Sequence, residues 1–430
     1  MKKRNLAEDK NILDIESMGK YVAGPIFYNY VLWILHQAQK EDISCLYFLA
    51  RDGYILYRIA QQICMQFNLK VGCRYLYCSR LSLRMPTYHL IGEEAYDILC
   101  MGGYYVTPKT ILGRACLTEQ EAYAVLRDIN YSISKYNQVF TKLSLQEFTT
   151  TLRVSKVYRN FVVQKSRAAY PHAMSYLNQE GLFLQNKVVL VDSGWTGSMQ
   201  RSLRQLMESQ GYRGDFVGFY FGMYAHPKAD KDGKYCAWYF DFNSSKKNKI
   251  LFSNNLLECM LAAPHGMTTG YQIINGRTEP VMLAAPSTKE QSLILNHHKG
   301  VLKYVDEQIS RMNTLQLFDE HRAKKNTEKL LYRYMAYPTK EEASIYGQLL
   351  FCDDVTESYR SPLAAEAQVK SLAGYSIMRR FFRKIIHQNQ NYSAPELFWP
   401  YGTLAFASNW KRWWYRWNLY VWEWFRYTLK

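Results

Sequence analysis

The sequence predicts an α/β protein built on a parallel sheet. Three features predict it. Nearly continuous apolar runs at residues 43–50, 187–191 and 215–222 have the length and composition of strands buried on both faces. The first two are each followed, within a few residues, by a segment of helical period. Strands alternating with helices in this way pack as a doubly wound parallel sheet.

The elements follow in order. Residues 11–39 have helical period, with Ile26, Tyr30, Trp33 and Ile34 on one face and Gly24-Pro25 as a break or a start. Residues 43–50 form the first strand, Arg51-Asp52-Gly53 end it, and residues 54–67 form a helix. A second strand covers residues 73–78 and ends in Ser79-Arg80. Residues 87–186 carry many short amphipathic segments and few strand signals. The run Lys187-Val-Val-Leu-Val191 is the clearest strand, and it leads through Asp192-Ser193-Gly194-Trp195-Thr196-Gly197-Ser198 into a helix over about 199–210. Residues 215–222 give a further strand and 236–240 a candidate last one. Beyond residue 245 the pattern is mainly helical. The expected division is an α/β core of residues 1–86 and 187–245, a large helical insertion at 87–186, a mainly helical region at 246–395, and a tail at 396–430.

Composition narrows the function. A chain of 430 residues, 48% hydrophobic and 21% charged, is globular and large enough for more than one core. No run of about 18 uncharged apolar residues predicts a membrane-spanning helix. The opening Met-Lys-Lys-Arg-Asn-Leu lacks the apolar stretch of a signal peptide, so a cytoplasmic location is expected. Nine cysteines without a Cys-x-x-Cys pair fit reduced thiols rather than a disulfide scaffold.

The net charge of +17 is concentrated late in the chain. Residues 371–430 hold nine Lys or Arg against two acids, and seven of the ten tryptophans. In the tail, Trp410, Trp413, Trp414, Trp417 and Trp424 fall on one helical face, with Lys411, Arg412, Arg416 and Arg426 off it or at its margins. That pattern fits the headgroup level of an anionic membrane, with intramolecular packing as the alternative. A nucleic-acid partner is not expected.

Ligands of an open parallel sheet bind beyond the carboxyl ends of its strands. Three polar segments lie at such ends: Arg51-Asp52-Gly53, Ser79-Arg80, and Asp192 through Ser198. They are therefore expected to converge. In the last of them, glycines and a helix start form an anion cradle, to which Thr196 and Ser198 add hydroxyls. Asp192 suits sugar hydroxyls or a Mg²⁺ carried by the substrate. Arg51 is a bidentate phosphate donor, Gly53 permits close approach, and Asp52 is a base or an orienting group. The bland readings are a capped turn, a surface ion pair and a solvated basic turn at Ser79, Arg80 and Arg84. Neither a Walker loop nor a dinucleotide-binding glycine string is present.

The segment Val188-Val-Leu-Val-Asp192-Ser-Gly-Trp-Thr196-Gly197 resembles the loop of type I phosphoribosyltransferases that binds 5-phosphoribosyl 1-pyrophosphate (PRPP). The strand ending in Arg51-Asp52-Gly53 resembles their pyrophosphate loop. Together with Ser79-Arg80, Ser198-Met-Gln200, Glu258 and Ala263-Pro264, these motifs are similar to a family of bacterial polysaccharide gene clusters, some of whose members are fused to a HAD-type phosphatase. The resemblance spans about residues 19–355. It implies a phosphoribosyltransferase-like core and a glycosyltransferase that moves 5-phosphoribosyl from PRPP, with Mg²⁺, to a sugar hydroxyl of a lipid-linked glycan. A separate phosphatase would then remove the 5-phosphate. It further implies that Arg51 and Arg80 face pyrophosphate, that Gly53 and Ser79 also bind PRPP, and that Asp192, Ser193, Gly194, Trp195, Thr196, Gly197 and Ser198 hold the ribose hydroxyls and 5-phosphate; the general base is Asp52 or Glu258, with Asp52 preferred for its place at a strand end. The enzyme would work at the inner face of the cell membrane.

The chain departs from the usual pattern in having one acid, Asp192, followed by Ser193. It also has a helical stretch where a short loop is usual, which implies an acceptor other than a nucleobase, and it starts without room for a phosphatase domain. Two rivals are kept. A HAD-like phosphatase also begins with an apolar strand ending in Asp, but needs a second Asp at position 194, which is Gly. A non-catalytic, membrane-associated scaffold is the other. The histidines show no zinc spacing; His265 is read as a loop residue, with the acceptor side as the alternative.

Overall fold

Five strands line up in the order β2-β1-β3-β4-β5, all parallel. This computed structural model describes residues 13–428, except 104, 225–232, 245, 313, 316–317, 353, 355–359 and 377–396. A short helix, Ile15–Met18, and a wide turn, Gly19–Ala23, lead into α1, Gly24–Lys40. Gly24-Pro25 thus restarts the helix, and a Cβ on Gly24 would come within 2.8 Å of Tyr304. Strand β1, Cys45–Leu49, is buried throughout, and α2, Gly53–Gln66, follows it. Strand β2, Gly72–Leu76, is at the edge, so its exposure alternates.

The chain next forms α3, Arg80–Arg84, whose start is capped by Ser79, and then only helices up to residue 184 among the described residues. The longest is α4, Lys156–Gln179. These helices bury a core of their own, including Leu99, Ile111, Leu126, Leu152 and Tyr158. The chain re-enters the sheet at β3, Lys187–Trp195, passes through α5, Ser198–Ser209, and completes it with β4, Asp215–Met223, and β5, Lys234–Phe240.

Alternation along β3 shows why both faces are covered. Val189 and Val191 join Phe48, Phe219 and Trp238 in the core beneath α1 and α2. Val188 and Leu190 join Tyr47, Leu203 and Tyr176 beneath α4 and α5. The sheet is apolar on both sides, as parallel sheets are.

Two findings correct the sequence reading. Strand β3 does not stop at Val191: Asp192, Gly194 and Trp195 continue the ladder opposite Tyr220, Gly222 and Met223. The mainly helical region also contains a hairpin. After α6, Asn254–Leu261, strands β6, Thr268–Ile274, and β7, Arg277–Met282, pair antiparallel. Their turn, Asn275-Gly276, has φ of +50° and +79°, which suits a two-residue hairpin connection. Helix α7, Thr288–Ile309, then packs on α1.

The chain ends in α8, Pro400–Leu404, and α9, Asn409–Thr428. Trp410, Trp413, Trp417 and Trp424 are 69%, 71%, 51% and 41% exposed and, with Tyr420, form one stripe. Trp414 is half-buried beside Trp417 and lies off that stripe, because the opposite face packs through Asn418 and Leu419. Arg412 donates to the carbonyls of Ala405 and Ala407 at 2.8 and 3.2 Å, and Arg416 covers the Tyr337 ring at 4.1 Å. Both cations therefore work inside the protein. Arg379, Arg380, Arg383, Lys384 and the side chain of Arg426 lie outside the described residues. No described helix is long and apolar enough to cross a membrane.

Candidate functional site

The chain leaves β1 for β2 on one side and returns to β3 on the other, so a crevice opens between the carboxyl ends of β1 and β3. Such a switch point is where doubly wound sheets bind ligands. Leu49 pairs with Leu76 and Phe48 with Val191, so β1 and β2 end level while β3 runs on past them to Trp195.

At the end of β1, the Ala50–Arg51 peptide is cis. Asp52 stands at the head of α2 but makes no side-chain cap there. Its carboxylate instead accepts the hydroxyl of buried Ser193. Gly53 packs closely on the strand: a Cβ would lie 2.8 Å from the Phe48 carbonyl carbon.

At the end of β2, buried Ser79 accepts from the Ser82 amide at 3.0 Å and donates to the Thr268 carbonyl at 2.6 Å. Its hydroxyl is used as a helix cap and an anchor for the hairpin. Arg80 extends from the first turn of α3 and is exposed. One turn on, Arg84 donates to the Ser198 hydroxyl at 2.9 Å. Burial, with the positive charges of Arg80, Arg114 and Arg201, pushes the Arg84 guanidinium down to about 10. Arg84 and Arg201 thus add cations at the N-terminus of α5, where helix amides point outward. Arg201 carries no motif of its own; only the helical offset of three from Ser198 places it there.

The third segment is tightly held. The Tyr30 hydroxyl, fully buried, bonds the carbonyls of Asp192 and Phe219, each at 2.9 Å. Gly194 has φ of +112°, and a Cβ there would lie 2.3 Å from the Gly222 oxygen. Gly197 has φ of +65° and would collide with the Tyr235 ring. Thr196 is exposed at the tip of the loop. Trp195 has φ of +79°, a strained conformation for a bulky residue. Its ring packs among Tyr224, Phe240 and Phe252, and its indole N–H donates to Glu258 at 2.6 Å. Trp195 therefore positions Glu258. The cradle is also shorter than expected, because the residues through Trp195 belong to the strand.

Three carboxyl groups, Asp52, Asp192 and Glu258, meet in this crevice, with Arg51 and Arg80 beside them. Burial raises Asp52, while the Ser193 hydroxyl, Arg51 and Arg80 act against that. Burial and the Asp52 charge push Asp192 up to about 7, although its carboxylate accepts the amides of Ser193 and Gly194. Burial and the same charge push Glu258 up to about 8, against the pull of Arg80 and the Trp195 N–H. Three neighbouring acids compete for ionisation, and a cation or a cation-bearing anion relieves that competition. Asp192 offers the hard oxygens that Mg²⁺ takes. Among the described residues no three His, Cys, Asp or Glu side chains are grouped to hold a metal by themselves.

No protein-family model matches the chain, and no curated protein matches it.

Proposed function

We propose that the protein is a PRPP-dependent phosphoribosyltransferase that moves 5-phosphoribosyl to a sugar hydroxyl of a lipid-linked polysaccharide intermediate, releasing pyrophosphate. The observation that carries this reading is the Ser193–Asp52 hydrogen bond, which ties the segment after β1 to the last residues of β3 in one arginine-flanked crevice at the switch point.

Arg51 and Arg80 face pyrophosphate. The start of α5, with Ser198, Arg84 and Arg201, faces the 5-phosphate. Asp192 takes the ribose hydroxyls or the Mg²⁺ that accompanies PRPP, whose part is to neutralise charge on pyrophosphate. The C1–O bond to pyrophosphate breaks, the acceptor oxygen bonds C1, and the acceptor proton passes to Asp52. Asp52 is the better base because it stands at the end of β1 beside Arg51, whereas Glu258 lies within α6, where burial and the Asp52 charge push it up to about 8. Charge that develops on the leaving group meets donors already in place.

The exposed Trp stripe of α9 supports a position at the inner face of the membrane, where a lipid-linked acceptor is found. A separate phosphatase completes the sequence by removing the 5-phosphate. The test is pyrophosphate release from Mg·PRPP in the presence of membrane-extracted lipid-linked oligosaccharide. Release that requires both substrates and is lost in Asp52→Asn supports the reading; a scaffold gives none.

A further inference from the structure

The loop after α6 returns the chain to the carboxyl end of β2 and sets His265 against three tyrosines. The Tyr75 hydroxyl lies 2.8 Å from His265 Nε2. Nδ1 lies 2.8 Å from the Gly266 carbonyl, which only accepts, so Nδ1 carries the proton and Nε2 accepts from Tyr75. Ring centroids place Tyr77 at 5.2 Å, Tyr75 at 5.7 Å and Tyr54 at 6.0 Å from His265. All four rings are partly open to solvent.

This corner borders the crevice. Tyr54 follows Asp52-Gly53 directly in the chain. The charge of Arg51 acts on both His265 and Tyr75, and that of Asp52 on Tyr75. None of the four rings has a part in holding the donor as described above.

We propose that Tyr54, Tyr75, Tyr77 and His265 form the acceptor subsite and receive an uncharged pyranose ring. Small-ligand sites are mostly apolar and aromatic, with a few polar groups that fix orientation. The C–H face of a pyranose matches an aromatic surface. Tyr75 gives its proton to Nε2 and keeps its oxygen lone pairs, so it accepts from a sugar hydroxyl. Burial and Arg51 hold His265 below its usual range, so the corner presents no formal charge, as suits a neutral sugar. The subsite rests on the transferase reading above.

The test uses the full chain, with methyl pyranosides of glucose, galactose and rhamnose as probes in saturation-transfer NMR. Mg·PRPP affinity is measured by calorimetry on the same samples. The expected result is saturation of ring C–H protons of at least one probe, reduced about fivefold or more in Tyr77→Leu and in His265→Leu. Mg·PRPP affinity should stay within about twofold. If no probe is saturated, or if both variants match the wild type, the subsite is overturned while the transferase reading stands on its PRPP affinity. If both variants lose PRPP as well, the corner serves the donor and the proposal fails. If the wild type binds no PRPP, the transferase reading falls and the acceptor assignment falls with it.

Discussion

Ser193, on β3, donates its hydroxyl to the carboxylate of Asp52, at the head of α2, across 141 positions of sequence. The bond aligns a carboxylate whose base strength depends on its surroundings. Asp52→Asn is expected to lower kcat by about 10²–10⁴, the usual contribution of a general base, with little change in Mg·PRPP affinity. Ser193→Ala should cost much less. Single-turnover kinetics would measure both, and equal losses in the two variants would contradict the assignment.

Glu258 owes its hydrogen bond to Trp195, which favours the ionised form. Trp195→Phe removes the N–H and should move the Glu258 titration further up, above about 8. Carbon-detected NMR of the glutamate carboxyls would follow it. An unchanged titration would show that the indole only fills space.

Asp192 and Glu258 both have pKa values raised in the folded chain, which therefore binds more protons than the unfolded chain between about pH 4 and 8. Their favourable contribution is complete below the unfolded values near 4 and is lost as pH rises through the folded ones. The ligand-free protein should thus lose thermal stability from pH 5 to 9, and Glu258→Gln should flatten that slope. Mg·PRPP affinity should move the opposite way and strengthen as Asp192 ionises through about 7. Thermal scans and calorimetry across this range would show either trend.

Tyr30 carries no chemistry of its own. Tyr30→Phe removes the single O–H donor that the two buried carbonyls share, at a cost of about 1–3 kcal/mol. Denaturant unfolding would give the value. Because the Asp192 carbonyl is one of the two, PRPP affinity should fall modestly as well.

How far the sequence could be read depended on whether the signal was local. The strand ends before Arg51 and Ser79, and the apolar body of β3 before Asp192, were legible because a parallel sheet demands apolar runs and the chain turns polar where each run stops. The reach of β3 to Trp195 was not legible: Gly194 looks like loop sequence until Gly222 lies opposite it. The β6–β7 hairpin was legible in principle, since Asn275-Gly276 is a strong turn signal between strand-like runs. The helical character of its surroundings obscured it. The use of Ser79 as a cap and of Trp195 as a partner for Glu258 depends on residues far away in sequence, as does the inward turn of Arg412 and Arg416.

That inward turn bears on the membrane. With Arg412 and Arg416 engaged in the protein, attraction of α9 to lipid should come mainly from Trp410, Trp413 and Trp417. Their combined replacement by Ala should reduce binding to anionic vesicles about tenfold or more, while high salt weakens wild-type binding only slightly. Vesicle sedimentation tests this. A steep salt dependence would return the leading role to the cations.

Calorimetric titration of Mg·PRPP into wild type and Asp192→Ala tests the proposed PRPP site at the junction of β1 and β3 most directly. Saturable binding by the wild type, lost or at least about tenfold weaker in the variant, is the predicted result. No heat and no thermal shift at millimolar Mg·PRPP, or equal affinity in the two proteins, would contradict it.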